Sequence, residues 1–374
     1  MLLYIHLPFC KSKCAYCDFN SYANCDAATV FSYLTALNRE IDFAADKFSE
    51  AKIDTVYIGG GTPSSLDPKV VERIMKRLSE KFRFFNPSEV SIEVNPESVT
   101  EDKLKVYHDC GINRVSMGVQ SLNDDNLKSV GRLHDAKTAI QKAELAAKYF
   151  DNLSADFIIG LPYDTNETVR NEISEFAPLV QHMSVYELTL EENTPLCNRV
   201  NDGTTWLPSD DEVADYLDIA IDVLHENGLE RYEVSNFARA GRVCRHNYGY
   251  WTREEYVGLG AGAHSLVKTT DGKNPAPAEI RFASPRDLNA YIGGINCVSS
   301  FDDVPRVGMS VLSPRDIAYE KVMLGLRTTE GIDEKLLDGK DLSRVKSFFR
   351  FSDGKAALTR EGIAVMNSVL TEII

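Results

Sequence analysis

The strongest constraint in this sequence is a repeated alternation. Short, apolar, β-branched runs are each followed by a longer stretch of helical period. The runs are Leu2–Leu7, Thr55–Ile58, Val90–Val94, Arg114–Val119, Ser154–Ile159 and Met183–Leu188. Between them, apolar residues recur at helical spacing. Val30, Leu34, Leu37, Ile41 and Ala44 share one face, and 67–82, 100–110, 135–150 and 167–180 read the same way. Thr100, followed by Glu101 and Asp102, is a helix start. Six strand-then-helix units predict parallel strands joined by right-handed crossovers. The runs are apolar on both parities, as in strands covered on both faces. A doubly wound sheet and a (β/α) barrel both satisfy the pattern. Six units are too few for a closed eight-stranded barrel, which leaves an open, partial barrel as the second option.

Polar or glycine-rich segments sit just after the strand ends: Cys10–Cys17, Gly59–Pro63, Glu93–Pro96, Gln120–Ser121 and Gly160–Pro162. In either architecture, sites collect at the carboxyl ends of strands. Beyond residue 200 the pattern loosens. A helix is expected over 210–226, and the Gly and Pro of 271–277 mark a loop. A helix over 314–324, a hairpin turning at Ser352-Asp353-Gly354 and a last helix from Thr359 form a small α+β unit, with a winged helix as one option. The division expected is 1–200 for the barrel, 201–300 for an extension and 301–374 for the C-terminal domain.

Composition narrows the function classes. With 41 Lys and Arg against 56 Asp and Glu, the net charge is −15. No basic run stands out, which argues against binding nucleic acid through its phosphates. No apolar stretch of about 18 residues exists for a membrane span, and the amino terminus turns polar too early for a secretion signal. The 8 cysteines are too few for a disulfide scaffold. A cytoplasmic protein with at most peripheral membrane contact is expected.

Three of those cysteines, Cys10, Cys14 and Cys17, are separated by three and two residues in the loop after the first strand. Three thiolates so close can cover one face of an iron–sulfur cubane, each binding one iron and leaving the fourth iron open. Structural zinc, which prefers four ligands in paired spacings, and free thiols are the alternatives. Farther on, His246-Asn247-Tyr248-Gly249-Tyr250-Trp251 combines an imidazole, a heme-iron ligand type, with flat aromatic area. A hydrogen-bonded corner and ordinary core packing are the plainer readings. Cys244 and His264 are further candidate ligands, while Cys25, Cys110, Cys197 and Cys297 read as small hydrophobes.

The CxxxCxxC loop resembles that of the radical S-adenosylmethionine (SAM) superfamily. The resemblance implies a partial (β/α)6 barrel and a 4Fe–4S cluster whose open iron binds SAM and, when reduced, cleaves it to a deoxyadenosyl radical. Tyr4–Cys10, Cys17-Asp18-Phe19, Gly59–Ser64, Ser91–Glu97, Ser116–Ser121, Val130–His134 and Asp156–Pro162 are similar to the oxygen-independent coproporphyrinogen III oxidase group. That likeness implies Tyr4, Gly60 and Glu93 as contacts of the cluster-bound SAM. It implies Tyr16, Gly61, Thr62, Gln120, Arg132 and Asp156 at a second SAM position. Gly59–Pro63 corresponds to a glycine-rich segment in contact with SAM, for which glycines permit close backbone approach.

Two departures separate this chain from the oxidase. Phe19 stands where the oxidase has a fourth cysteine, and nine residues precede Cys10 where the oxidase has a long segment. Both departures, with the HNxxYW motif, resemble the heme-chaperone branch of the group. The resemblance implies heme bound at His246, Asn247, Tyr250 and Trp251, its transfer to a heme protein of the respiratory chain, and a homodimer. SAM cleavage stays open, oxidase activity is not expected, and no residue is assigned a catalytic role.

Overall fold

The computed structural model describes residues 1–269 and 278–374. The loop expected over 271–277 lies outside the described residues. Six parallel strands form the centre: β1 (Leu2–Leu7), β2 (Lys52–Gly60), β3 (Phe84–Val94), β4 (Arg114–Gln120), β5 (Leu153–Ile159) and β6 (His182–Glu187). They neighbour one another in chain order. A doubly wound sheet reverses its order at a switch point; this sheet does not, so the barrel reading holds. Among the described residues its first and last strands do not pair with each other, and the barrel is open.

The crossovers carry α1 (Ala27–Lys47), α2 (Pro68–Lys81), α3 (Glu101–Asp109), α4 (Ala136–Ala146) and α5 (Asn166–Phe176). Their starts are set by side chains that satisfy free amides. Asp67 caps α2 with Pro68 behind it, and the Thr100 hydroxyl accepts from the Lys103 amide. Tyr33, Leu37, Ile41 and Ala44 of α1 are buried against the sheet.

After α6 (Asp210–Glu226), the chain extends the sheet at both edges. β7 (Asn236–Ala238) runs antiparallel to β6, and α7 (Arg245–Trp251) leads to β8 (Tyr256–Leu259), which lies parallel to β1. β9 (His264–Thr269), β10 (Ala278–Ala283) and β11 (Val307–Val311) follow outward. Because β11 pairs with β10, the segment around 307–311 extends the large sheet, although it lies within the 301–374 expected for the C-terminal unit. The change of sequence pattern there marks an edge strand; the second cluster of buried side chains begins only at Val322 in α8 (Pro314–Gly325). The expected hairpin forms between 349–352 and 355–358, with positive φ at Asp353 and Gly354 as a tight hairpin turn requires.

The extension is clamped to α1 by one buried carboxylate. Glu40 accepts from the Gly260 amide at 2.8 Å and from the Tyr291 hydroxyl at 2.7 Å. Beside it, the Tyr33 hydroxyl donates to the His6 carbonyl and accepts from the Ala261 amide. Burial lifts the Glu40 carboxyl from 4.5 to about 7. A raised folded-state value means that the folded chain holds the proton more tightly than the unfolded chain. This contribution to stability is present below about pH 4.5 and is lost as pH rises through about 7. Glu40→Gln keeps an acceptor oxygen and has no proton to lose. Denaturant midpoints of the variant should fall less than those of the wild type across that window.

Candidate functional site

The cysteine loop is seated by backbone contact between β1 and the turn after β2. The Gly61 amide donates to the Leu7 carbonyl at 2.9 Å and the Thr62 amide to the Phe9 carbonyl at 2.8 Å. A Cβ on Gly61 would lie 2.8 Å from Phe9 backbone atoms, and one on Gly60, at φ +119°, would meet the His6 ring at 2.5 Å. The glycines are therefore required by the approach of two chain segments, a reason different from the ligand access expected from the sequence. On its far side the loop is tied at Ala15, whose amide donates to Val130 and whose carbonyl accepts from Leu196, both at 2.9 Å.

Cys10, Cys14 and Cys17 are half-buried free thiols that line one cavity of about 450 Å³. The Thr62 hydroxyl donates to Cys10 Sγ and the Arg132 guanidinium to Cys14 Sγ, each at 3.5 Å. Among the described residues no three His, Cys, Asp or Glu side chains converge on one ion. A cubane asks for a different arrangement, with each thiolate on its own iron.

The cavity descends from this loop into the barrel. Arg114, Ser116, Gly118 and Gln120, alternate residues of β4, line it from floor to mouth. The β4–β5 register shifts after Gly118, and Gln120 sits at φ 72°, in the left-handed region that non-glycine residues rarely occupy. Glu93 on β3 accepts from the Gly60 amide and the Tyr57 hydroxyl, both at 3.0 Å, and burial raises its carboxyl to about 7. Asp156 on β5 accepts from Ser116 and is likewise raised by burial. Arg132 bridges Cys14 and Asn95 Oδ1 inside the cavity. Tyr16, Gly60, Gly61 and Thr62 complete the sequence-expected residues of this wall.

Arg114 is a residue the sequence reading passed over. It is 1% exposed, and its Nε and Nη1 have no hydrogen-bond partner among the described residues. Buried donors left unpaired are costly, and here they lie at the floor of a ligand-sized space. An arginine inside an otherwise apolar strand was the available signal.

The HNxxYW segment forms α7, which closes the amino-terminal end of the barrel. Glu89, also unforeseen, accepts from the Arg245 and His246 amides at 2.9 and 3.0 Å, a carboxylate at a helix start. His246 is fully buried: Nδ1 is 2.7 Å from Thr55 Oγ1, Nε2 is 2.8 Å from the Tyr250 hydroxyl, and the ring stacks on Tyr57. The expectation of His246 as a heme ligand therefore finds no free imidazole nitrogen in this arrangement. Asn247 lines the barrel cavity, while Trp251 lines neither cavity and lies under the Arg327 guanidinium, 5.9 Å away. Cys244 is also buried, its thiol 3.6 Å from Glu89 and pushed by burial up to about 12, away from ligand chemistry.

A second cavity, about 520 Å³, opens on the other side of the cysteine loop. Gly60, Glu93, Asp18 and Phe19 border both spaces. Tyr4, bonded to His6 Nδ1 at 2.9 Å, and Tyr250 face this second space with Tyr256, His264 and Arg286.

Three cysteines at the mouth of an open, consecutively ordered parallel barrel are the features of the radical SAM superfamily, whose description matches residues 4–175. The heme chaperone HemW of Bacillus subtilis is 33% identical over 98% of this chain and 97% of its own. The heme chaperone HemW of Lactococcus lactis is 34% identical over 88% of this chain and 82% of its own. Among solved structures, the coproporphyrinogen III oxidase HemN of Escherichia coli, a radical SAM enzyme, covers 99% of this chain and 89% of its own with a TM-score of 0.82. At 23% identity that likeness concerns the fold. The chain belongs to the radical SAM superfamily and, within it, to the HemW family.

The superfamily implies a 4Fe–4S cluster and SAM, and the residues present suit them. Three thiols share one wall, the cavity beside them is of ligand size, and Arg114, whose Nε and Nη1 have no partner among the described residues, borders it. Gly61→Ala should lower stability by about 1–3 kcal/mol and displace Cys10; thermal denaturation and iron content after reconstitution would show both. Glu89→Ala, which strips two buried amides of their acceptor, should cost about 2–4 kcal/mol in a denaturant titration.

Proposed function

We propose that this chain is a heme chaperone: a radical SAM protein that binds heme as cargo and passes it to a heme protein. The observation that carries the reading is the extent of the HemW relatives, which match nearly end to end. Phe19 supports it, because a 71% exposed phenylalanine occupies the position of the oxidase's fourth cysteine. In this reading Cys10, Cys14 and Cys17 hold the cluster, and Tyr4, Gly60 and Glu93 hold SAM. Tyr16, Gly61, Thr62, Gln120, Arg132 and Asp156 line the space for a second SAM or another ligand. Cluster and SAM together supply one-electron chemistry when bound. The chain's own part is to position them: Arg132 places a positive charge beside Cys14, and Glu93 offers acceptor oxygens next to Gly60.

The finer features belong to the same proposal. They are a cytoplasmic location, delivery to a respiratory membrane protein through peripheral contact, and a homodimer. Among the described residues no helix is long and apolar enough to cross a membrane.

Hemin titration of the purified protein should develop a Soret band that saturates. Anaerobic incubation with reductant, SAM and coproporphyrinogen III should yield no protoporphyrinogen; steady turnover would replace the chaperone by the oxidase. Replacing Cys10, Cys14 or Cys17 by alanine should abolish the brown cluster absorbance after reconstitution, while Cys244→Ala should retain it.

A further inference from the structure

The seven histidines differ sharply in what their rings can still do. His6, His134, His182 and His246 have both nitrogens engaged in the interior. His108 and His225 end helices on the outside, each against a carboxylate. His264 is exposed, lines the second cavity, and has no hydrogen bond from its ring among the described residues.

Its surroundings are those of a flat, anionic, aromatic ligand. The Phe19 ring is 71% exposed beside the same cavity, and Tyr256 and Tyr250 meet edge to face at 4.8 Å on its wall. Arg286, exposed at the rim, spends one long contact of 3.4 Å on the Asp18 carbonyl and is otherwise free to take an anion. His264 stands on a fixed base: Gly262 donates to Pro285 at 3.0 Å and Ser284 to Ala263 at 2.9 Å, locking the start of β9. Partial burial and the Arg281 and Arg286 charges lower the imidazole's affinity for a proton, which favours the neutral ring that binds iron.

Resting on the chaperone reading, we propose that heme docks at the outer rim of this second cavity, with His264 as an iron ligand, Phe19 against the macrocycle and Arg286 on a propionate. Tyr4, Gly60 and Glu93 border this cavity too, and Gly60 and Glu93 also border the first, so cargo lies next to the SAM contacts across a shared wall. HNxxYW then contributes through Tyr250 on the wall and through the helix that supports it, with no ligand role for His246.

The test is hemin titration of the full-length protein, read by Soret position, low-spin EPR signal and affinity. His264→Ala should lose the histidine-ligand signature and weaken binding by roughly tenfold or more, and added imidazole should restore the low-spin spectrum. His264→Met should show a thioether-ligated spectrum instead. Arg286→Ala should weaken hemin about tenfold with the Soret position unchanged, and should bind hemin dimethyl ester as the wild type does. His225→Ala should leave every readout unchanged. A wild type that binds hemin through histidine, with His264→Ala and His264→Met spectrally unaltered, overturns this site and leaves the chaperone reading standing. A wild type that binds no hemin overturns both.

Discussion

Two backbone hydrogen bonds, from Gly61 to Leu7 and from Thr62 to Phe9, underlie the rest of this molecule's chemistry. They lock the turn after the second strand onto the segment that carries the first cysteine. No side chain can stand between the two, because a Cβ at Gly61 would lie 2.8 Å from Phe9 backbone. With that contact made, the Thr62 hydroxyl reaches Cys10, Gly60 offers its amide to Glu93, and Glu93 becomes a wall between two cavities. Cysteines, glycines and carboxylate, more than eighty residues apart in sequence, are positioned by a packing requirement.

The electrostatics of the barrel follow from the same enclosure. Glu93 and Asp156 are half-buried in the cavity wall, and their desolvation makes them hold their protons more tightly than exposed carboxyls. The Arg114 guanidinium, at the floor, is held in its charged form by the anionic groups around it, although burial alone would oppose that. An interior bordered by one arginine at its floor and by a second, set against a thiol, at its mouth is prepared for a polar, charged ligand. The chain's −15 charge is carried mainly elsewhere, on exposed helix faces and caps such as those of α6.

Much of this was legible in the sequence, and what was not has identifiable causes. Strand and helix order followed from periodicity, which burial on both sheet faces enforces, and the choice between doubly wound sheet and barrel followed from the cysteine loop. Cys10, Cys14 and Cys17, Gln120, Arg132 and Asp156 do meet in one cavity, Gln120 from the carboxyl end of a strand, Asp156 from the middle of one and Arg132 from the loop beyond a short helix. Arg114 and Glu89 escaped notice because their importance comes from what they face across the barrel, which spacing along one strand does not record. The pairing of the segment around 307–311 was not legible for a related reason: which neighbour an edge strand joins depends on long-range pairing alone.

His246 shows where motif reading and structure part. A histidine followed by tyrosine and tryptophan has the composition of a heme site, yet its two nitrogens close on Thr55 and Tyr250. Freeing either would leave a buried hydroxyl without its partner and unseat α7, whose first amides are held by Glu89. The motif is then best understood as a plug: it seals the barrel floor beneath Arg114, sends Asn247 into one cavity and Tyr250 into the other, and places Trp251 against Arg327 in the C-terminal part of the chain. Such a plug touches both cavities and the C-terminal part of the chain while both of its imidazole nitrogens stay engaged, which makes its histidine a part of the packing.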